Sequence, residues 1–412
     1  MIHNESIAAI VTDINKLNAL YRVRVDLIEK AQWSQHFHHL SLNLHNNSQF
    51  SLISANTFVL GGSALPRQSK VREIFVQAER TTPKTYGKSN LASPRLHTKF
   101  PDEQGSSHAR WRCAISFKDR EKYNLLIVLE DGSEHTVAGI QFEPETVSNL
   151  QEHPPALQRM IERIESSRTI MEKNLAVGRG YLFVIGNARS GTTALARLLN
   201  ASSEICIGIE RYDKFNITAN AFEKEAFFNP QSPGFKLRAD LYNELEGKFD
   251  SARYIGDKRP GFTADWKNTL LNIPAIKILY IFRNIYDVSA SYNQRASNAA
   301  RGKDGAWPRD RNFIAAVEDW NFELQQALLI AEHANLVCVK YEDIFRSEKR
   351  IHEMFESLAI DSNEPHLKAT ITNILSRGKS LEGKDRVLDA QARAYIDDHA
   401  DFYSYKRLVE LY

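Results

Sequence analysis

Residues 181–193 read Tyr181-Leu182-Phe183-Val184-Ile185-Gly186-Asn187-Ala188-Arg189-Ser190-Gly191-Thr192-Thr193, with Leu195, Leu198 and Leu199 following at helical spacing. Five successive apolar residues, branched and aromatic, predict a buried strand, and a glycine-bearing turn and an amphipathic helix come directly after it. In that order the three form a phosphate loop. Successive backbone N–H groups and the positive end of the helix face one anion, and Gly186 and Gly191 permit the close approach. A Walker loop would carry Lys where Thr192 stands, to neutralise the phosphates of a nucleoside triphosphate. Here the fixed positive charge is Arg189, inside the loop, which counts against a kinase or NTPase.

Outward from the loop, short apolar runs alternate with helical patterns, which predicts a parallel sheet covered on both faces in a P-loop-like three-layer αβα domain. Ile205–Ile209 reads as a second strand and delivers Glu210 to the carboxyl edge of the sheet. Tyr254-Ile255-Gly256-Asp257 is a third, with Lys258, Arg259 and Pro260 at its end. Lys277–Phe282 is a fourth and runs into Arg283-Asn284-Ile285-Tyr286-Asp287-Val288-Ser289-Ala290-Ser291. Asp287, Ser291 and Arg295 recur every four residues and share one helix face, so Arg283, Ser291 and Arg295 can converge on a single phosphate. Leu336–Val339 is a further strand, followed by Tyr341-Glu342-Asp343. The helix carrying Phe313, Val317, Trp320, Leu324 and Leu328 has core spacing and is assigned no chemistry.

These motifs resemble those of the nucleotide-dependent sulfotransferases. Arg189-Ser190-Gly191-Thr192-Thr193 is similar to that family's 5′-phosphosulfate loop, and Arg283 with Ser291, eight positions on, to its 3′-phosphate motif. Ile285 departs from the family, in which many members have Pro there, a difference of turn stiffness. The resemblance covers roughly residues 175–412 and implies transfer of a sulfuryl group from 3′-phosphoadenosine-5′-phosphosulfate to an acceptor hydroxyl, leaving 3′-phosphoadenosine-5′-phosphate, with no metal. It implies nucleotide binding by Arg189, Ser190, Gly191, Thr192, Thr193, Arg283, Ser291 and Tyr341, to which the helix spacing adds Arg295, and catalysis by Glu210, Lys258 and Arg189. Glu210 is the general base, as in tyrosylprotein and some carbohydrate and bacterial sulfotransferases. His333, His352, His366 and His399, the histidines of this half, lie far from the motifs in sequence. Lys258 is the candidate for stabilising the leaving oxygen, with Arg259 as its rival. Ser376 to Lys384, basic and glycine-bearing, is compared with a late loop that closes over the nucleotide in the family, though a solvated loop explains it as well.

The N-terminal half has a different period. Leu40, Leu42, Leu44; Trp111, Cys113, Ile115, Phe117; and Tyr123, Leu125, Ile127, Leu129 alternate with period two, and Asp131-Gly132 marks a hairpin with a tight primed turn. We expect an antiparallel β-sandwich, a helix around Ser6 to Ala31 packed against it, and a surface loop from Thr81 to Ser107. Pro154-Pro155 opens a connecting helix on Leu157, Met160, Ile161, Ile164 and Met171, closed by Gly178 and Gly180. The domains expected are residues 1–150 for helix and sandwich, 151–178 for the connector, and 179–412 for the α/β domain.

A chain of 412 residues suits two domains, and its 25% charged and 42% hydrophobic residues are those of a globular protein. Lys plus Arg exceed Asp plus Glu by only 53 to 51, so bulk charge points to neither nucleic acid nor membrane. No signal peptide or membrane span is legible, and Cys113, Cys206 and Cys338, isolated in apolar runs, read as buried hydrophobes rather than a disulfide or zinc set. A cytoplasmic location is therefore expected. The acceptor stays open among carbohydrate, tyrosine and small natural-product hydroxyls; for the sandwich, acceptor binding, self-association into a homo-oligomer and bracing are all open. Two alternatives remain: a P-loop kinase or NTPase, and a non-catalytic nucleotide- or glycan-binding protein.

Overall fold

The computed structural model describes residues 2–17, 21–43, 50–51, 57–67, 70–78, 84–86, 88–91, 102–103, 109–116, 122–144, 155–211, 217–231, 239–260, 266–299, 311–380 and 388–412. The chain divides into two compact units, Met1–Arg159 and Met160–Tyr412.

The first unit holds two antiparallel sheets. One takes its strands in the order Phe50–Ser51, Tyr21–Leu27, Glu134–Pro144, Lys122–Leu129, Val71–Ala78, Lys84–Tyr86; the other in the order Phe37–Asn43, Thr57–Pro66, Arg110–Ser116, Lys88–Leu91. Leu40 and Trp111 from the second sheet and Tyr123, Leu125, Ile127 and Leu129 from the first enter one apolar cluster, so the period-two residues do face a common core. Leu42, Cys113 and Ile115 lie within strands; Leu44 and Phe117 fall outside the described residues.

Three expectations for this half are corrected. The helix spans only Ile2–Lys16, and Tyr21–Leu27 is a strand paired with Glu134–Pro144 from Tyr21↔Pro144 to Leu27↔Ala138. Tyr21, Val23, Val25 and Leu27 alternate with Arg22, Arg24 and Asp26, a period-two signal stronger than any helical one there. Within the expected loop, Lys84–Tyr86 and Lys88–Leu91 are strands at the outer position of each sheet, where polar residues blunt an edge. At the hairpin only Gly132 has positive φ, 86°, and its N–H returns to Leu129 O at 3.0 Å, so the turn is the longer type ending in a left-handed glycine.

The connecting helix, Pro155–Ala176, starts five residues before the second unit and buries Met160, Ile161, Ile164 and Met171 within it. It ends where the N–H of Gly178 reaches Leu175 O; Gly180 is already the first residue of the next strand. Five parallel strands follow: β1 (Gly180–Ile185), β2 (Ile205–Ile209), β3 (Tyr254–Lys258), β4 (Lys277–Phe282) and β5 (Asn335–Lys340), in the spatial order β2-β3-β1-β4-β5. Helices cover both faces. Leu182, Val184, Ile205, Ile207, Leu279, Ile281 and Val339 enter one core with the helices Thr192–Leu199, Glu348–Ser357 and Pro365–Ser380. The alternate residues point the other way: Phe183 meets Phe222, and Phe282 meets Tyr405. Ser376–Ser380 therefore ends a helix rather than forming a loop, and 381–387 fall outside the described residues.

The sheet leaves no room at Gly256. A Cβ there would lie 1.7 Å from Leu182 O on the neighbouring strand. Gly256→Ala is expected to destabilise the protein by about 3 kcal/mol or more, because backbone cannot yield as a side-chain tip does; denaturant unfolding measures it, and an unchanged midpoint would contradict the packing.

Candidate active site

The candidate residues lie at or follow strand ends of the parallel sheet, except Ser291 and Arg295, which lie along the helix Ile285–Ala299. After β1 the chain crosses to one side, to β2, and β4 lies on the other side of β1, so β1 and β4 flank the switch point at which open α/β sheets bind ligands. The phosphate loop follows β1 and Arg283 follows β4.

Gly186, at φ 147°, passes so close to β4 that a Cβ would lie 2.2 Å from Ile281 O. Gly191, at φ 96°, caps the helix Thr192–Leu199, and a Cβ there would lie 2.5 Å from the ring of Tyr341. Three non-glycine residues among those described have positive φ, and two are Arg189, at 73°, and Glu210, at 52°. Left-handed backbone costs such residues of order 1–3 kcal/mol and persists where surrounding structure enforces it, a pattern concentrated at functional sites.

Arg189 Nε donates to Ser291 Oγ at 2.8 Å, joining the loop to the second motif. Arg283, only 14% exposed at its side chain, donates to Arg189 O at 3.5 Å and to Asp287 Oδ2 at 3.1 Å. Its guanidinium lies 4.0 Å over the ring of Tyr341, and Trp320 Nε1 donates to its carbonyl at 3.0 Å. The N–H of the next residue, Asn284, donates to Glu342 Oε1 at 2.9 Å. Tyr341 therefore wedges between Gly191 and Arg283. Ser190 and Thr192 are buried, and Thr193 is half-buried in the first helical turn; Arg295 is half-buried one turn beyond Ser291.

Ser190 Oγ, Ser289 Oγ, Asn187 Nδ2 and Arg283 Nε are buried and have no hydrogen-bond partner among the described residues. Buried polar atoms are nearly always satisfied, so donors left unpartnered on the loop and in the segment after β4 are available to a polar ligand. Two hydroxyls, an amide, a guanidinium N–H and a helix N-terminus form a donor set, which fits phosphate groups.

The second cluster lies beside it. Lys258 Nζ pairs with Glu210 Oε1; Lys258 is fully buried while the Glu210 side chain is 55% exposed. The carboxylate thus faces outward with a buried cation behind it. Glu210 N–H donates to Lys258 O at 2.9 Å, and Arg259 N–H to Val184 O at 3.0 Å, which ties this pair to the strand that carries the loop. Arg259, half-buried, follows Lys258.

Asp257 and Arg211 were not singled out from sequence and belong to this cluster. Both are 1% exposed, and Arg211 N–H donates to Asp257 Oδ2 at 3.2 Å. Burial pushes the Asp257 carboxyl up to about 6, against the opposing pull of the Arg211 charge. A charged pair directly behind two strand ends was the available signal. Cys206 and Cys338 are buried, their thiols pushed up to about 11 and about 12 by burial, and take no part.

Residues 182–362 match the sulfotransferase family model. Similar solved structures include the sulfotransferase domain from the curacin biosynthetic pathway, at 14% identity over 53% of this chain and 97% of that one, TM-score 0.33. Sulfotransferase STF9 from Mycobacterium avium is 12% identical over 63% of this chain and 84% of its own, TM-score 0.33. STF1 from Mycobacterium tuberculosis H37Rv is 14% identical over 53% and 80%, TM-score 0.32. No curated protein matches the sequence. The matched segment contains the phosphate loop, Glu210, Lys258, the Arg283–Ser291 motif and Tyr341, and it is over this segment, less than half of the chain, that the protein is similar to the sulfotransferase family.

Proposed function

We propose that the protein transfers a sulfuryl group from 3′-phosphoadenosine-5′-phosphosulfate to an acceptor hydroxyl, with Glu210 as general base. One observation carries the reading. The strand order β2-β3-β1-β4-β5 sets Glu210, Lys258, the Arg189 loop, Arg283 and Tyr341 side by side in that sequence along one edge. With strands about 4.8 Å apart, Glu210 and Arg283 stand some 14 Å from each other. A ligand with two anionic groups fits the adjacent ends of β1 and β4, its 3′-phosphate against Arg283 and Ser291, with Arg295 one turn on, and its 5′ end in residues 189–193, which leaves the acceptor between the loop and Glu210.

The chemistry follows from placement. Glu210 accepts the proton of the acceptor hydroxyl as its oxygen bonds to sulfur, and the sulfur–oxygen bond to the 5′-phosphate breaks. Lys258 and Arg189 hold the charge that develops on the leaving oxygen and on the sulfuryl oxygens. Side chains supply all the cationic groups in this scheme, so it calls for no metal. The acceptor is a carbohydrate, tyrosine or small-molecule hydroxyl.

Calorimetric titration with 3′-phosphoadenosine-5′-phosphate, with and without magnesium and beside ATP, tests the donor site. Magnesium-independent binding at least tenfold tighter than that of ATP is expected. A preference for Mg-ATP would replace this reading with that of a kinase. Transfer of labelled sulfate to a panel of saccharides, tyrosyl peptides and phenols then separates the acceptor classes.

A further inference from the structure

Glu210 departs from its strand in a left-handed conformation, φ 52°, that a glutamate does not adopt unaided. Two contacts hold it there, one on each side of its Cα. Its own N–H donates to Lys258 O at 2.9 Å, and the N–H of Arg211 donates to Asp257 Oδ2 at 3.2 Å. The first restrains φ and the second ψ, so successive residues of β3 determine where the carboxylate emerges.

The second contact is itself built in. Gly208 leaves the space for it, since a Cβ there would lie 2.3 Å from Arg211 Cδ and 3.0 Å from Asp257 Oδ1. The Arg211 guanidinium lies 3.8 Å over the ring of Phe227, and its Nη2 donates to Ala221 O at 2.8 Å and Ala226 O at 3.3 Å. The residue after Glu210 is thus anchored at its backbone by Asp257 and at its side-chain end by the segment Ala219–Phe228. A buried carboxylate and a buried guanidinium stabilise a fold less than apolar residues of the same shape, so stability alone does not account for them.

We propose that Asp257 and Arg211 form a buried brace that positions Glu210, both acting as positioning residues rather than touching substrate. The proposal rests on the reading of Glu210 as base.

The test compares Asp257→Ala, which removes the acceptor for the Arg211 N–H, with Asp257→Asn, which keeps one. The readouts are the affinity for 3′-phosphoadenosine-5′-phosphate and the single-turnover hydrolysis of labelled 3′-phosphoadenosine-5′-phosphosulfate, water standing in for the acceptor. Asp257→Ala is expected to slow cleavage by roughly 10- to 100-fold, the effect of a misplacement of about 1 Å, with bisphosphate affinity within about twofold of wild type. Asp257→Asn should recover most of the rate. Should Asp257→Ala not accumulate as folded protein, Asp257→Leu, of similar shape and without an acceptor, carries the same expectation. A wild-type rate in Asp257→Ala or Asp257→Leu, or an equal loss in Asp257→Asn, overturns the brace. Wild-type protein that neither binds the bisphosphate nor cleaves the donor overturns the sulfotransfer reading instead.

Discussion

Glu210→Gln is expected to lower kcat for sulfuryl transfer by roughly 10²- to 10⁴-fold, the range of a lost general base, while 3′-phosphoadenosine-5′-phosphate binds as to wild type. Gln is the informative replacement. Lys258 is fully buried and paired with Glu210 Oε1, and truncation to Ala would leave that cation without its partner and confound catalysis with stability. The Gln amide oxygen keeps an acceptor for Lys258 Nζ and cannot take a proton at neutral pH. Single-turnover kinetics with the best acceptor of the panel separate the chemical step from product release. A variant that binds the bisphosphate normally and keeps full kcat would remove Glu210 from the mechanism, and another group would then have to supply the base.

Arg283→Ala should weaken binding of the 3′,5′-bisphosphate by roughly 10²- to 10³-fold, the loss typical when one member of a buried charge pair is truncated. The effect should be selective. Adenosine 5′-phosphosulfate, which lacks the 3′-phosphate, should bind wild type and variant within a fewfold of each other, because Arg189 and the helix N-terminus still meet its 5′ end. Arg283→Lys should fall close to Ala. The guanidinium lies over Tyr341 at 4.0 Å while reaching Asp287 Oδ2 at 3.1 Å, a pair of contacts that a lysine point charge does not reproduce. Calorimetry with the two nucleotides measures the selectivity. An equal loss for both would place Arg283 as a scaffold of the loop, through its bond to Arg189 O, rather than as a partner of the 3′-phosphate.

Some errors in reading the sequence were local. Tyr21–Leu27 is only seven residues long and follows a true helix within a few positions, which hides its alternation in a longer apolar pattern. Lys84–Tyr86 and Lys88–Leu91 are edge strands, which need neither an apolar face nor neighbours on both sides, and so look like loop. Neither error touched the site, whose signals are of another kind.

What the residues determine by themselves is whatever depends on near neighbours. The apolar run Tyr181–Ile185, the glycines on either side of Arg189 and the leucines at helical spacing specify strand, loop and helix within twenty positions. The same holds for Arg283 and Ser291 along one helix face, and for Glu210 and Lys258 at strand ends. What tertiary structure alone decided is which of these ends meet. Arg189 reaches Ser291 across 102 residues, and Lys258 reaches Glu210 across 48. Tyr341 slides between Gly191 and Arg283, and Asp257 closes on the peptide after Glu210. These meetings follow from the order β2-β3-β1-β4-β5, which depends on how whole strands pair across the sheet. Pairing of that kind is settled by long-range burial of complementary faces, and no window of local sequence records it.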